Sequence, residues 1–226
     1  MPILSLSRSF PSNLTSSFCP AILVAAAAVA CSATSAMAQP VQWLTSDGGN
    51  GNFFEVVTTS SNISWPAARD AAGLRVFGSN VGRLACPSTA PLDLFIRQLA
   101  AATPNAFTAI TFQNNDWSGP WIGALQPAGS PEPAGGWTWT NGDTWNFTNW
   151  LAGEPNQGGN SGQNEPNIHL FARSGAITAG RIAWNDLAAT GSIFPVRSYV
   201  VEYVIPSPSA AALLGLGGLL AARRRR

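Results

Sequence analysis

The chain alternates between short runs that suit a sheet, two segments that suit helices, and long polar turns. Asn52 to Thr58 (Asn-Phe-Phe-Glu-Val-Val-Thr) concentrates aromatic and β-branched residues and predicts a first strand. Ser64 stands where an N-cap belongs. Trp65 and Pro66 then open a helix through about Ala72, which Gly73 is expected to end. Between Pro91 and Ala102, Leu92, Phe95, Ile96 and Leu99 recur at helical spacing and predict a second helix, stopped by Pro104. Beyond it the period shortens. Trp121-Ile122-Gly123 reads as a short strand, and Trp137-Thr138-Trp139 alternates before a tight turn at Asn141-Gly142. Asn167 to Arg173, Arg181 to Trp184 and Ser198 to Val204 read as further strands, the last closing the sheet, while Gly153 to Asn164 offers almost nothing to a core. Two helices followed by a mostly antiparallel sheet with a long polar loop is an α+β layout.

Composition supports a packed domain. Hydrophobic residues make up 46% of the 226 positions and charged residues only 10%, which excludes disorder over most of the length. Nine Trp beside 22 Gly point to a loop-rich domain pinned by aromatic anchors. All twelve basic residues are Arg, and five of them lie in the terminal segments: Arg8 and the run Arg223 to Arg226. The part between carries seven Arg against eleven acids, a net charge of about −4, which argues against a nucleic-acid partner.

Both ends read as processing signals. Residues 1–38 have the order of a secretory signal peptide, with Arg8, the apolar run Ala21 to Ala30, and a small-residue cleavage site at Ala36-Met37-Ala38. A lipoprotein-type box ending at Cys31 is the alternative. At the other end, residues 205–226 pass from Pro206-Ser207-Pro208-Ser209 through the apolar stretch Ala210 to Ala222 into four Arg. Thirteen apolar residues are fewer than the roughly 20 that span a bilayer as a helix. The arrangement resembles the PEP-CTERM sorting signal of Gram-negative bacteria, though the motif here is Pro-Ser-Pro-Ser and not Pro-Glu-Pro. That resemblance implies transient membrane contact through the tail, then export to the cell surface or extracellular matrix; a plain membrane tether is the alternative. Cleavage after Ala38 leaves Cys86 alone, so the domain at 39–204 is expected to stand without an internal disulfide, Cys86 serving as a small buried hydrophobe.

From about Asn50 to Tyr203 the chain resembles the C-type lectin fold. Asn50-Gly51-Asn52-Phe53-Phe54-Glu55, the helix start at Ser64-Trp65 with Ala68-Arg69, and Gly82-Arg83-Leu84-Ala85 are similar to the opening of disulfide-free bacterial members. Trp121-Ile122-Gly123 looks like the family's core tryptophan strand, and Trp137-Thr138-Trp139 with Asn149-Trp150 like the lead-in to its binding loop.

The chemistry lies in that loop and just beyond it. Glu154-Pro155-Asn156 follows Trp150, Glu165 comes eleven residues after Glu154, and Asn185-Asp186 sit behind Trp184. Three carboxylates and two amides are hard oxygen donors, the type that Ca2+ takes at six- to eightfold coordination. No set of Cys and His competes for a softer metal. In the resembled family the matching positions form the principal calcium site, where the ion also meets two neighbouring sugar hydroxyls. The resemblance thus makes Glu154, Asn156, Glu165, Asn185 and Asp186 both metal and carbohydrate ligands. Pro155 is expected to follow a cis peptide bond. The Glu-then-Asn order resembles members that take mannose- or glucose-type vicinal diols, and the partner expected is a glycan or exopolysaccharide. A second triplet, Glu165-Pro166-Asn167, leaves the sugar-facing copy to be argued; the distance from Trp150 favours the first.

An enzyme reading is weaker. Glu154, Glu165 and Asp186 could be imagined as a glycosidase pair, but they converge where like charges demand a cation. His169, the only histidine, alternates with Ile168 and Leu170 and is expected to be a partly exposed structural residue. The expected function is non-catalytic sugar binding. The alternative is an adhesion or protein-binding module of the same fold, with calcium only structural or absent. A single shallow site binds weakly, so avidity would come from several copies or an oligomer.

Overall fold

The computed structural model describes residues 39–112, 114–158, 164–190 and 194–206. The expected signal peptide with Arg8 and Cys31, the sorting tail from residue 207 with Arg223 to Arg226, and the loop tip at 159–163 lie outside the described residues. Among the described residues the strands are, in chain order, β1 (Val41–Gln42), β2 (Phe53–Thr58), β3 (Val76–Phe77), β4 (Asn80–Leu84), β5 (Thr108–Ile110), β6 (Asp116–Leu125), β7 (Thr138–Trp139), β8 (Asn167–Ala172), β9 (Ile182–Leu187) and β10 (Ser198–Tyr203). Helix α1 (Trp65–Leu74) and helix α2 (Ala90–Ala102) complete the α+β architecture. Among the described residues no helix is long and apolar enough to cross a membrane.

Both helices begin where short polar side chains cap them. Ser64 Oγ accepts from Ala67 N at 3.3 Å, and Thr89 Oγ1 accepts from Leu92 N at 3.4 Å, with proline in each first turn. Helix α1 runs one residue past Gly73. That glycine does not adopt a left-handed conformation, so it caps nothing and is carried through inside the helix.

The sheet order is β1-β2-β10-β6-β8-β9, antiparallel except where β10 meets β6 at Tyr199 and Trp121. The last strand therefore lies in the middle of the sheet, between β2 and β6, instead of closing it at an edge. Strand β6 is ten residues long, not the three its sequence suggested. Gly119, Pro120 and Gly123 look like breakers, yet the pairing with β8 shifts register around them, as bulges allow. The glycines are there for space: a Cβ on Gly119 would stand 2.2 Å from Phe107 Cε1.

Alternation divides the buried side chains between the two faces. Phe54, Val56, Ile122, Ile168, Leu170, Trp184 and Val200 pack with Leu92, Ile96 and Ala100 of α2. Leu84, Trp121, Phe171, Tyr199, Val201 and Tyr203 pack with Trp65, Ala68 and Ala72 of α1. Two indoles pin α1 to the sheet: Trp65 Nε1 donates to Ile122 O at 2.9 Å, and Trp121 Nε1 donates to Ile63 O at 2.8 Å. Because both faces are covered, His169 is fully buried, not partly exposed; Trp121, Phe171 and Phe194 surround its ring. Cys86 is buried and free, and burial pushes its thiol up to about 11, which leaves it inert.

Candidate functional site

The loop that carries Glu154 is seated on tryptophan. Trp137, Trp139, Trp145, Trp150 and Trp184 form a continuous set of ring contacts, with Trp139 and Trp184 edge-to-face at 5.4 Å and Trp137 and Trp150 at 5.0 Å. The backbone follows the same line: Trp184 N donates to Asn149 O at 2.8 Å and Leu151 N to Trp184 O at 2.9 Å. Segment 149–151 thus runs along β9, the last strand of the sheet order, just before Asn185 and Asp186.

Asp93, absent from the sequence reading, fixes this base from below. It is fully buried on α2; Oδ1 accepts from Trp184 Nε1 at 2.8 Å, and Oδ2 accepts from Arg97 Nε at 2.7 Å and Asn149 Nδ2 at 3.1 Å. Burial raises its pKa against the pull of Arg97, Trp184 and Asn149. An isolated carboxylate at the first turn of an apolar helix carries no sequence signal for such a clamp.

From Leu151 the chain turns through Gly153 at φ 96°, open to glycine and strained for other residues, into Glu154. The Glu154–Pro155 peptide bond is cis, as is Glu132–Pro133. The next backbone groups wrap the end of β9. Asn156 N meets both carboxylate oxygens of Asp186 at 3.2 and 3.1 Å, and Gln157 N donates to Oδ2 at 3.0 Å. Gly158 N donates to Glu165 Oε2 at 2.9 Å, and Gln157 Nε2 donates to Asn164 Oδ1 at 3.2 Å, which closes the neck of the loop.

The structure brings Asp186 and Glu165 close enough to act on the Glu154 carboxyl. Glu154 Oε2 is buried, and no donor among the described residues is directed at it. Burial, then the Asp186 carboxylate, then Glu165 push the Glu154 carboxyl up to about 7, with Arg173 pulling weakly the other way. Asn156 is exposed on the loop, whereas Asn167 of the second triplet is buried inside β8. Asn185 and Asp186 belong to β9 itself, on opposite faces of the strand. The Asn185 amide turns inward: Nδ2 is 3.1 Å from His169 Nε2 and donates to Asp186 O at 2.5 Å.

These donors suit a hard cation in kind, and the donor-less oxygen of Glu154 is the atom one would satisfy. Among the described residues no group of three or more His, Cys, Asp or Glu is gathered tightly enough to hold a metal ion.

No protein-family model and no curated sequence matches this chain. Similar solved structures include the C-type lectin CEL-I from Cucumaria echinata, at 16% identity and a TM-score of 0.46 over 69% of this chain and 91% of that one. Human lithostathine matches at 16% identity and 0.44, over 73% of this chain and 97% of that one. The carbohydrate-recognition domain of the mouse scavenger receptor C-type lectin matches at 17% and 0.39, over 66% and 88%. At these identities each likeness concerns the fold and nothing finer.

Proposed function

We propose that this chain binds carbohydrate non-catalytically through a calcium ion held by Glu154, Asn156, Glu165, Asn185 and Asp186. The observation that carries the reading is the Glu154 carboxyl, whose buried Oε2 lacks a donor beside Asp186. Two carboxylates so placed need a proton or a cation, and at neutral pH a divalent ion is the stronger partner. Calcium bound there would supply open coordination positions for two vicinal hydroxyl oxygens. The residues do the rest. The carboxylates accept hydroxyl protons, and Asn156, exposed on the loop, donates its amide N–H to a hydroxyl oxygen. Glu154-Pro155-Asn156 serves as the outward triplet, since Asn167 is committed to the sheet. The expected ligands are mannose- or glucose-type diols of a glycan or exopolysaccharide. The reading is non-catalytic because His169 is sealed inside and Asp186 and Glu165 act on Glu154 as like charges, an arrangement that suits a cation.

A glycan array probed with the purified chain, in calcium and again in EDTA, tests this. Mannose-type spots should bind in calcium and fall to background in chelator. A second reading, an adhesion or protein-binding module, is favoured by one observation: Asp186 already receives the backbone N–H groups of Asn156 and Gln157. A blank array with measured calcium binding would establish it over the first. We also propose export to a bacterial surface or matrix, from the terminal signals. The mass of the exported protein tests it, with an intact leader and Arg223 to Arg226 as the contrary result.

A further inference from the structure

We infer that His169 is a positioning residue for the candidate site, holding the Asn185 amide with Nδ2 inward so that Oδ1 alone is left for a cation or ligand. The inference rests on the reading of Asn185 as part of that site.

Asn185 and His169 are direct cross-strand partners in the β9–β8 ladder, so their side chains share a face. Both are buried, His169 completely. Asp186 O, which can only accept, lies 2.5 Å from the amide nitrogen, and this settles which end of the amide is which. The amide therefore also offers an N–H to His169 Nε2 at 3.1 Å, and that nitrogen must be bare. In a neutral imidazole the proton then sits on Nδ1, which faces Ser118 Oγ at 3.4 Å. Trp121, Phe171 and Phe194 pack around the imidazole.

Both amide hydrogens are thus spent inside the protein. Asn185 can offer the site an oxygen but no N–H, so Asn156 is the amide donor available to a sugar hydroxyl. Without an acceptor at His169 Nε2, one amide hydrogen is stranded in the interior. The amide then gains by turning, which would carry Oδ1 off its position.

The test has two arms. In the calcium-free full chain, nitrogen-15 NMR of the histidine ring reads the tautomer; a proton on Nδ1 is expected, and a proton on Nε2 overturns the inference. In the second arm, calcium is titrated calorimetrically into wild type, His169→Leu and His169→Gln. Loss of the acceptor in His169→Leu should weaken calcium about 10- to 100-fold. His169→Gln, whose amide oxygen can stand near the Nε2 position, should recover most of it. A Leu variant as tight as wild type, or a folded Gln variant as weak as Leu, overturns the inference. If Leu does not fold, Gln and the tautomer decide. A wild type that takes up no calcium defeats the calcium reading instead, and the tautomer still decides how the amide is held.

Discussion

Glu154 is held in two conflicting ways: its position in the loop buries one oxygen, and its neighbours are acids. With its pKa raised from the ordinary 4.5 to about 7, the folded calcium-free chain binds this proton more tightly than the unfolded chain does. The resulting stability is present in full below about pH 4.5 and is lost as the pH rises through about 7. Thermal melts in EDTA should therefore give a higher midpoint at pH 5 than at pH 8. Glu154→Gln should flatten that difference, and an unchanged slope would assign it to other groups. Under the proposed calcium binding the sense would reverse, because the ion and the proton would compete for the same oxygens. His169 contributes nothing to this profile in the neutral range: burial lowers its pKa to about 3, so it stays uncharged.

Elements place these residues, and α2 does more of it than its sequence suggested. Asp93 links the helix to Trp184 and Asn149, which lie on two of the three segments that hold the candidate ligands. Asp93→Ala removes the acceptor for a buried indole N–H and the partner of Arg97. Urea denaturation should show a loss of about 3 kcal/mol, whereas a loss under about 1 kcal/mol would mean that the tryptophan packing holds the base alone. Much of this level was legible beforehand. Both N-caps, the strand at Phe53–Thr58 and the α+β layout follow from local rules, since a cap or an alternating run depends on near neighbours. Strand β6 was not, because its glycines answer to Phe107 and Cys86, which are distant in the chain. The burial of His169 was legible only by half. Alternation gave its face, and only the tertiary structure showed that α1 and Phe194 cover that face as well. Asn185 and Asp186 continue strand β9, where their sequence suggested only what lies behind it; the pairing with Ile168 and His169 carries the ladder through them.

Across the whole molecule, Trp150 and Trp184 bind the loop to strand β9, which sets Glu154 near Asp186 and Glu165 while Asn185 turns to His169 on the other face of the strand. Residues 39–204 carry seven Arg against eleven acids, about −4, which suits a partner of positive charge better than nucleic acid. That excess of acid also gives the molecule a double response to a single change. Glu154→Gln removes the like-charge conflict with Asp186 and keeps the shape of the side chain. Calorimetric titration of calcium into wild type and Glu154→Gln, with a melt of each in EDTA at pH 8, measures both consequences on the same samples. The account predicts that wild type binds one ion at this site, and that Glu154→Gln melts higher yet loses that binding. A wild type that gives no calcium heat, or a Glu154→Gln variant that binds as tightly, would contradict it.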